Sequence, residues 1–124
     1  MAAPNLVNVT TIFGKTTGAA LDTTTTTSLL ANSASSGKVY KINSIIVSNI
    51  DGSSAADVTA SFYDSTAATS YQIAATVSVP ADSTLIVLGK DSPIYLEENH
   101  SIRGGASSNS DLEVIISYED LTDD

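Results

Sequence analysis

Cysteine is absent from this 124-residue chain, which excludes disulfide staples, zinc thiolates and a thiol nucleophile. Tryptophan is absent as well, and charged residues make up only 15% of the sequence. Base is scarcest: five basic residues, Arg103 being the one arginine, stand against fourteen acidic ones, for a net charge of −9. Phosphate neutralisation needs clustered Lys and Arg, so a nucleic-acid partner is excluded on charge. No apolar run approaches the roughly 20 residues of a membrane span. The opening MAAPNLV lacks both a basic n-region and an apolar h-region, so no secretory signal is expected. No stretch repeats its apolar residues at helical spacing over a useful length.

What is present is hydroxyl and β-branched carbon. Serine and threonine supply about a quarter of the chain, well above ordinary usage. Such polarity suits disorder, but 42% hydrophobic content with period-two patterning argues for strands with hydroxyl-rich exposed faces. The chain is long enough for one domain with a single core.

The best local signal spans residues 38–64, KVYKINSIIVSNIDGSSAADVTASFYD. It reads as two long strands forming a hairpin about Asp51-Gly52, with Gly52 supplying a positive-φ position. Tyr40, Ile42, Ile46 and Ile50 share one parity of the first strand, and Val39, Ile45 and Val47 the other. Neither face is cleanly polar, so this strand is expected to be covered on both sides, by a second sheet on one and by something else on the other, another subunit being a candidate. In the return strand Val58, Ala60 and Phe62 oppose Thr59, Ser61 and Tyr63.

Elsewhere a first strand is predicted over 7–12, a turn-rich link over 15–20, and a strand over 24–31 that absorbs the five-threonine run. Residues 71–79 alternate cleanly and stop at Pro80, which cannot donate to a ladder. Short strands follow at 84–88 and 94–96, and Asn99 is placed to take the left-handed conformation in a turn. Gly104-Gly105 is read as a bulge or bend, and a final strand runs from Leu112 to Tyr118. Eight to ten strands at roughly ten-residue spacing predict an all-β, antiparallel two-sheet β-sandwich, jelly-roll or Ig-like, with an extended N-terminal strand or arm. Residues 1–30 are assigned to that arm and the first strands, 31–120 to the sandwich core, and 121–124 to an acidic tail. The first strand has no hairpin partner beside it; it either pairs within the sheet or adds to a neighbour's edge.

Candidate chemistry is sparse. His100, the one histidine, is read as an exposed turn residue: Glu97 and Glu98 are adjacent and point apart if extended, and no nucleophile-elbow context surrounds it. Asp51 and Asp57 flank one loop without the alternating carboxylates of a calcium site. Asn8-Val9-Thr10 and Asn99-His100-Ser101 match the glycosylation acceptor pattern with no secretory signal to make use of it. Of five tyrosines, Tyr40 and Tyr118 look core-adjacent while Tyr63 and Tyr95 fall on outward parities, which leaves a sugar-stacking platform as an alternative.

Four segments, MAAPNLVNVTTIFGKTTGAAL, the 38–64 stretch, IAATVSVPADSTLIVL and IYLEENHSIRGGASSNSDLEVIISYED, resemble small virion structural proteins of tailed bacteriophages, especially those infecting marine cyanobacteria. In that group an acidic residue followed by Gly and Asp commonly precedes the SIR strand; Asn99 and His100 stand there instead, so no cation role for a turn aspartate carries over. The resemblance implies a non-enzymatic, multicopy component of the virion exterior, without cofactor, metal or membrane, made in the host cytoplasm. A capsid decoration or cement protein is the favoured expectation, contacting the major capsid protein and further copies of itself, with Asn5, Leu6, Val7, Val9, Ile12 and Phe13 as partner-binding residues. A neck, collar or tail component is the alternative place. From other classes, a carbohydrate-binding module on a fibre requires a tyrosine cluster on one face. A jelly-roll hydrolase or lyase requires His100 beside several carboxylates in a cleft.

Overall fold

The computed structural model describes residue 7 and residues 9–122. Nine strands follow one another: β1 (Thr11–Ala20), β2 (Ser28–Ala31), β3 (Lys38–Asn49), β4 (Ala56–Asp64), β5 (Thr69–Val79), β6 (Thr84–Leu88), β7 (Ile94–Leu96), β8 (Ser101–Ala106) and β9 (Leu112–Thr122). They form two antiparallel sheets, one ordered β1-β9-β3-β6 with β7 also on β3, the other β2-β8-β4-β5. All but two of the connections switch sheets: β4 turns directly into β5, and β6 and β7 follow each other along one flank of β3. This is the wiring of a jelly roll, and it excludes the Ig-like alternative.

The core lies between the sheets. Ile42, Ile45, Val47, Leu112, Val114 and Ile116 point inward from β3 and β9, onto Val58, Ile102 and Val79 of the facing sheet. β3 is central because both of its ladders are taken, by β9 on one side and by β6 and β7 on the other.

That arrangement overturns the hairpin. β3 and β4 are both strands, but they lie in different sheets, and residues 50–55 arch across the sandwich. Gly52 does not have a positive φ; among the described residues the one positive-φ glycine is Gly37. Asp51 makes the turn instead, its Oδ1 accepting the N–H of Ser53 at 2.9 Å and the Ser53 hydroxyl at 3.0 Å.

Other expectations shift with their causes. The first strand begins at Thr11 and runs through the supposed link at 15–20, because β9 offers it a full ladder of ten register-true pairs. The threonine run turns rather than extends: Asp22 Oδ1 accepts from Thr24 N–H and the Thr27 hydroxyl, and only Ser28–Ala31 forms strand. β5 loses its alternation at two register shifts against β4, where Thr76 takes φ 46°. Gly104 and Gly105 make no bulge; they hold register with Ala60 and Thr59. A Cβ at Gly105 would sit 2.6 Å from the Thr24 carbonyl oxygen, so glycine is there to let the 21–27 loop lie against β8. Asn99 does adopt the left-handed region, at φ 68°. Leu121 and Thr122 belong to β9 rather than to a tail, and Asp120 is buried.

Two buried asparagines tie the loops at opposite ends, and neither was foreseen. Asn49 Nδ2 donates to the carbonyls of Ser54 and Val79, both at 2.9 Å, while its Oδ1 accepts from Asp51 N–H. Asn32 Nδ2 donates to the carbonyls of Lys38 at 2.8 Å and Leu96 at 3.0 Å, and its Oδ1 accepts the Ser36 hydroxyl. Each amide thus ties carbonyls at strand ends, Lys38 and Leu96 for Asn32 and Val79 for Asn49, to the adjoining loop.

Candidate assembly surface

β1 is an edge strand with an unusual balance of bonds and burial. None of its ten side chains is buried, although its ladder with β9 is unbroken. The sheets run alongside each other with β1 opposite β2, and a four-residue strand cannot cover a ten-residue one. Ile12 is 60% exposed and Phe13 53%. The hydrogen bond from Leu21 N–H to Leu112 C=O fixes the parity of the ladder. Odd-numbered residues of β1 bond to β9, and the N–H and C=O of Ile12, Gly14, Thr16, Gly18 and Ala20 point to the open side.

Beneath β1 lies the one buried carboxylate pairing of the described residues. Asp120, 1% exposed, accepts at Oδ2 from Lys15 Nζ at 2.9 Å and Lys38 Nζ at 3.3 Å. The hydrogen bond to Asp120, and then its charge, raise the Lys15 ammonium above its ordinary value. Burial, and then the same carboxylate, push the Tyr40 phenol up. Tyr40 packs on Tyr118 with ring centroids 5.1 Å apart, and Lys15 Nζ lies 5.9 Å from the centroid of Phe13.

The outer face of the same sheet carries an apolar row. Ile86 pairs with Ile46, Ile46 with Ile115, and Ile115 with Gly18, so one line crosses β6, β3, β9 and β1. Ile86 is 66% exposed and Ile115 45%. Hydroxyl pairs flank it, Ser48 with Thr84 and Thr16 with Ser117, each at 3.3 Å.

Of the six residues expected to bind a partner, Val7, Ile12 and Phe13 are exposed and Val9 is half-buried; Asn5 and Leu6 lie outside the described residues. His100 corrects the expectation of an exposed turn: it is 6% exposed, edge-on to Phe62 at 5.4 Å. Its Nε2 is 3.4 Å from Asp64 Oδ1. The turn folds inward because Asn32 N–H donates to the His100 carbonyl and Asn99 N–H donates to the Asn32 carbonyl across adjoining loops. Asp64 is its single carboxylate neighbour, with Glu98 engaged by Gly37 N–H instead. Among the described residues no three His, Cys, Asp or Glu side chains gather as for a metal. The tyrosines do not cluster: Tyr63 is covered by the Arg103 guanidinium at 3.6 Å, while Tyr71 and Tyr95 sit on separate sheets. Among the described residues no helix is long and apolar enough to cross a membrane.

Comparison with protein-family models, curated proteins and solved structures returns no match.

Proposed function

We propose that the chain is a non-enzymatic structural component of a tailed-phage virion, a decoration or cement protein on the capsid exterior that works through protein–protein contacts. The observation that carries this reading is the contrast between a closed core and an open flank. The inward faces of β3 and β9 are fully packed, yet among the described residues an isoleucine row and the edge strand β1 remain exposed on one sheet. Exposed apolar surface rimmed by polar groups is the signature of a protein-binding face. The resemblance of four segments to small virion proteins supplies the setting. Bridging neighbouring capsomers in many symmetric copies gives avidity without a tight single contact.

Quantitative mass spectrometry of purified particles is the test. Hundreds of copies per particle are expected. A dozen or so would move the protein to the neck or tail, and absence from the particle would overturn the reading.

A further inference from the structure

We propose that β1 is the seat of a twofold homodimer, in which the strand pairs antiparallel with β1 of a second copy about an axis at Thr16. The proposal stands apart from the virion reading, since it concerns only what this edge accepts.

The four edges of the sandwich are not treated alike. β2 is four residues long and irregular between Ser28 and Leu30. β5 is broken by two register shifts and the left-handed Thr76. β6 and β7 split the third edge into pieces of five and three residues. Shortness, bulges and interruption are the devices by which proteins blunt sheet edges. β1 has none of these: ten residues, no register shift, no proline. Its one charge, on Lys15, is tied to Asp120 within the chain.

Charge and side-chain size then select a second copy as the occupant. The first 21 residues contain no acidic residue, in a chain of net charge −9. Two copies that repel each other elsewhere therefore oppose no carboxylate across the paired strands themselves, the nearest being Glu113 and Glu119 one strand away on β9. In the register centred on Thr16, every outward-bonding residue meets another: Thr16 faces Thr16, Gly14 faces Gly18, and Ile12 faces Ala20 of the second copy. On the inner face Phe13 meets Ala19, and Lys15 meets Thr17. Large residues lie in the first half of the strand and small ones in the second, so each bulky side chain finds a small partner and no like charges are opposed. Centring on Lys15 instead would set two ammonium groups face to face. A hollow of about 320 Å³ lined by Gly18, Ala19, Ala20, Glu113, Val114 and Ile115 lies beside Ala20, the residue that faces Ile12 of the second copy. An isologous pair forms two such contacts.

Sedimentation equilibrium of the full chain at micromolar concentration should give a dimer whose dissociation constant falls as salt screens the net negative charge. Thr16→Pro removes an outward N–H, no backbone bond to β9 and, of side-chain bonds to β9, the exposed hydroxyl contact with Ser117, a change that edge strands accept; it should yield a monomer that melts cooperatively. Thr16→Cys, in a chain without cysteine, should form a disulfide dimer on mild oxidation, while Ser78→Cys on β5 should not. A monomeric wild type would overturn the proposal and leave the edge to a different protein. A dimer that survives Thr16→Pro, or equal cross-linking at both cysteines, would overturn it by placing the contact elsewhere. Should Thr16→Pro fail to fold, the cysteine pair decides alone.

Discussion

At the scale of single residues, the most consequential side chains are polar ones that composition gives no reason to notice. Asn49, 3% exposed, satisfies the carbonyls of Ser54 and Val79. Truncation leaves buried acceptors without donors, which costs more than an ordinary hydrogen bond contributes. Asn49→Ala should lower stability by about 3 kcal/mol, read as a shift in the urea midpoint at unchanged slope; a loss within experimental error would show that water replaces the amide. The sequence does carry a trace of this role, since Asn49 closes a strand just before Asp51-Gly52. That trace was absorbed into a hairpin reading because local turn chemistry does not say whether a chain turns within a sheet or crosses to another. His100 misled for a related reason. Its neighbours are charged, but Phe62 and Asp64, which pack on it, come from β4, more than thirty residues away.

At the scale of elements, strand existence was legible and strand partnership was not. β3, β4, β6, β7 and the body of β9 fall where period two and the turn residues put them, because those signals are local. β1 was placed too early: Gly14, Lys15 and Gly18 weaken its pattern, and the ladder that stabilises it comes from residues over ninety positions away. The bulge in β5 was invisible for a sharper reason, in that 71–79 alternates well enough to hide it. Thr76 there holds φ 46°, which a β-branched residue adopts only under strain. Thr76→Gly should therefore raise stability by up to about 1 kcal/mol, seen as a higher melting temperature; a lower one would mean that the hydrogen bond from Thr76 N–H to the Thr59 hydroxyl depends on the threonine side chain's packing. Of the residues expected to bind a partner, Ile12 and Phe13 are recognisable as apolar positions at the chain's start, whereas the isoleucine row assembles only once four strands are side by side.

At the scale of the whole molecule, four loop aspartates gather at one pole, while carboxylates and lysines are mixed toward the other. Asp22, Asp51, Asp82 and Asp111 all sit in loops at the end where β3 passes to β4, and the lysines that bind Asp120 lie toward the other end. The pH response follows from groups near that second end. Lys15 and Tyr40 both hold their protons to higher pH in the folded chain than their ordinary values of 10.5 and 10.0. In alkaline solution the folded state therefore binds more protons than the unfolded one, and stability falls as pH rises. The loss should begin near pH 10.0 and continue through the higher folded-state values, with urea midpoints dropping steadily. Tyr40→Phe should remove part of that slope. A midpoint that stays level across this range would show that the Asp120 cluster opens before it titrates. Asp51 acts in the opposite sense: held below its ordinary 3.8 by the Ser53 backbone and hydroxyl bonds, its contribution is present above that value and is lost as acid protonates it.

Thr11 and Thr122 are opposite each other in one ladder, so the start of β1 and the close of β9 lie side by side. A tension drawn between them would part the β1–β9 bonds singly, as a zipper opens, and not all at once in shear. On the β1 side the first core side chain to be drawn out is Leu21, 2% exposed, after the whole of β1 has come away, while Leu121 beside Thr122 is held by its pairing with Val39 of β3. Tethered by its ends this jelly roll is mechanically soft, and a load borne through the faces of its sheets instead would have to shear many bonds together.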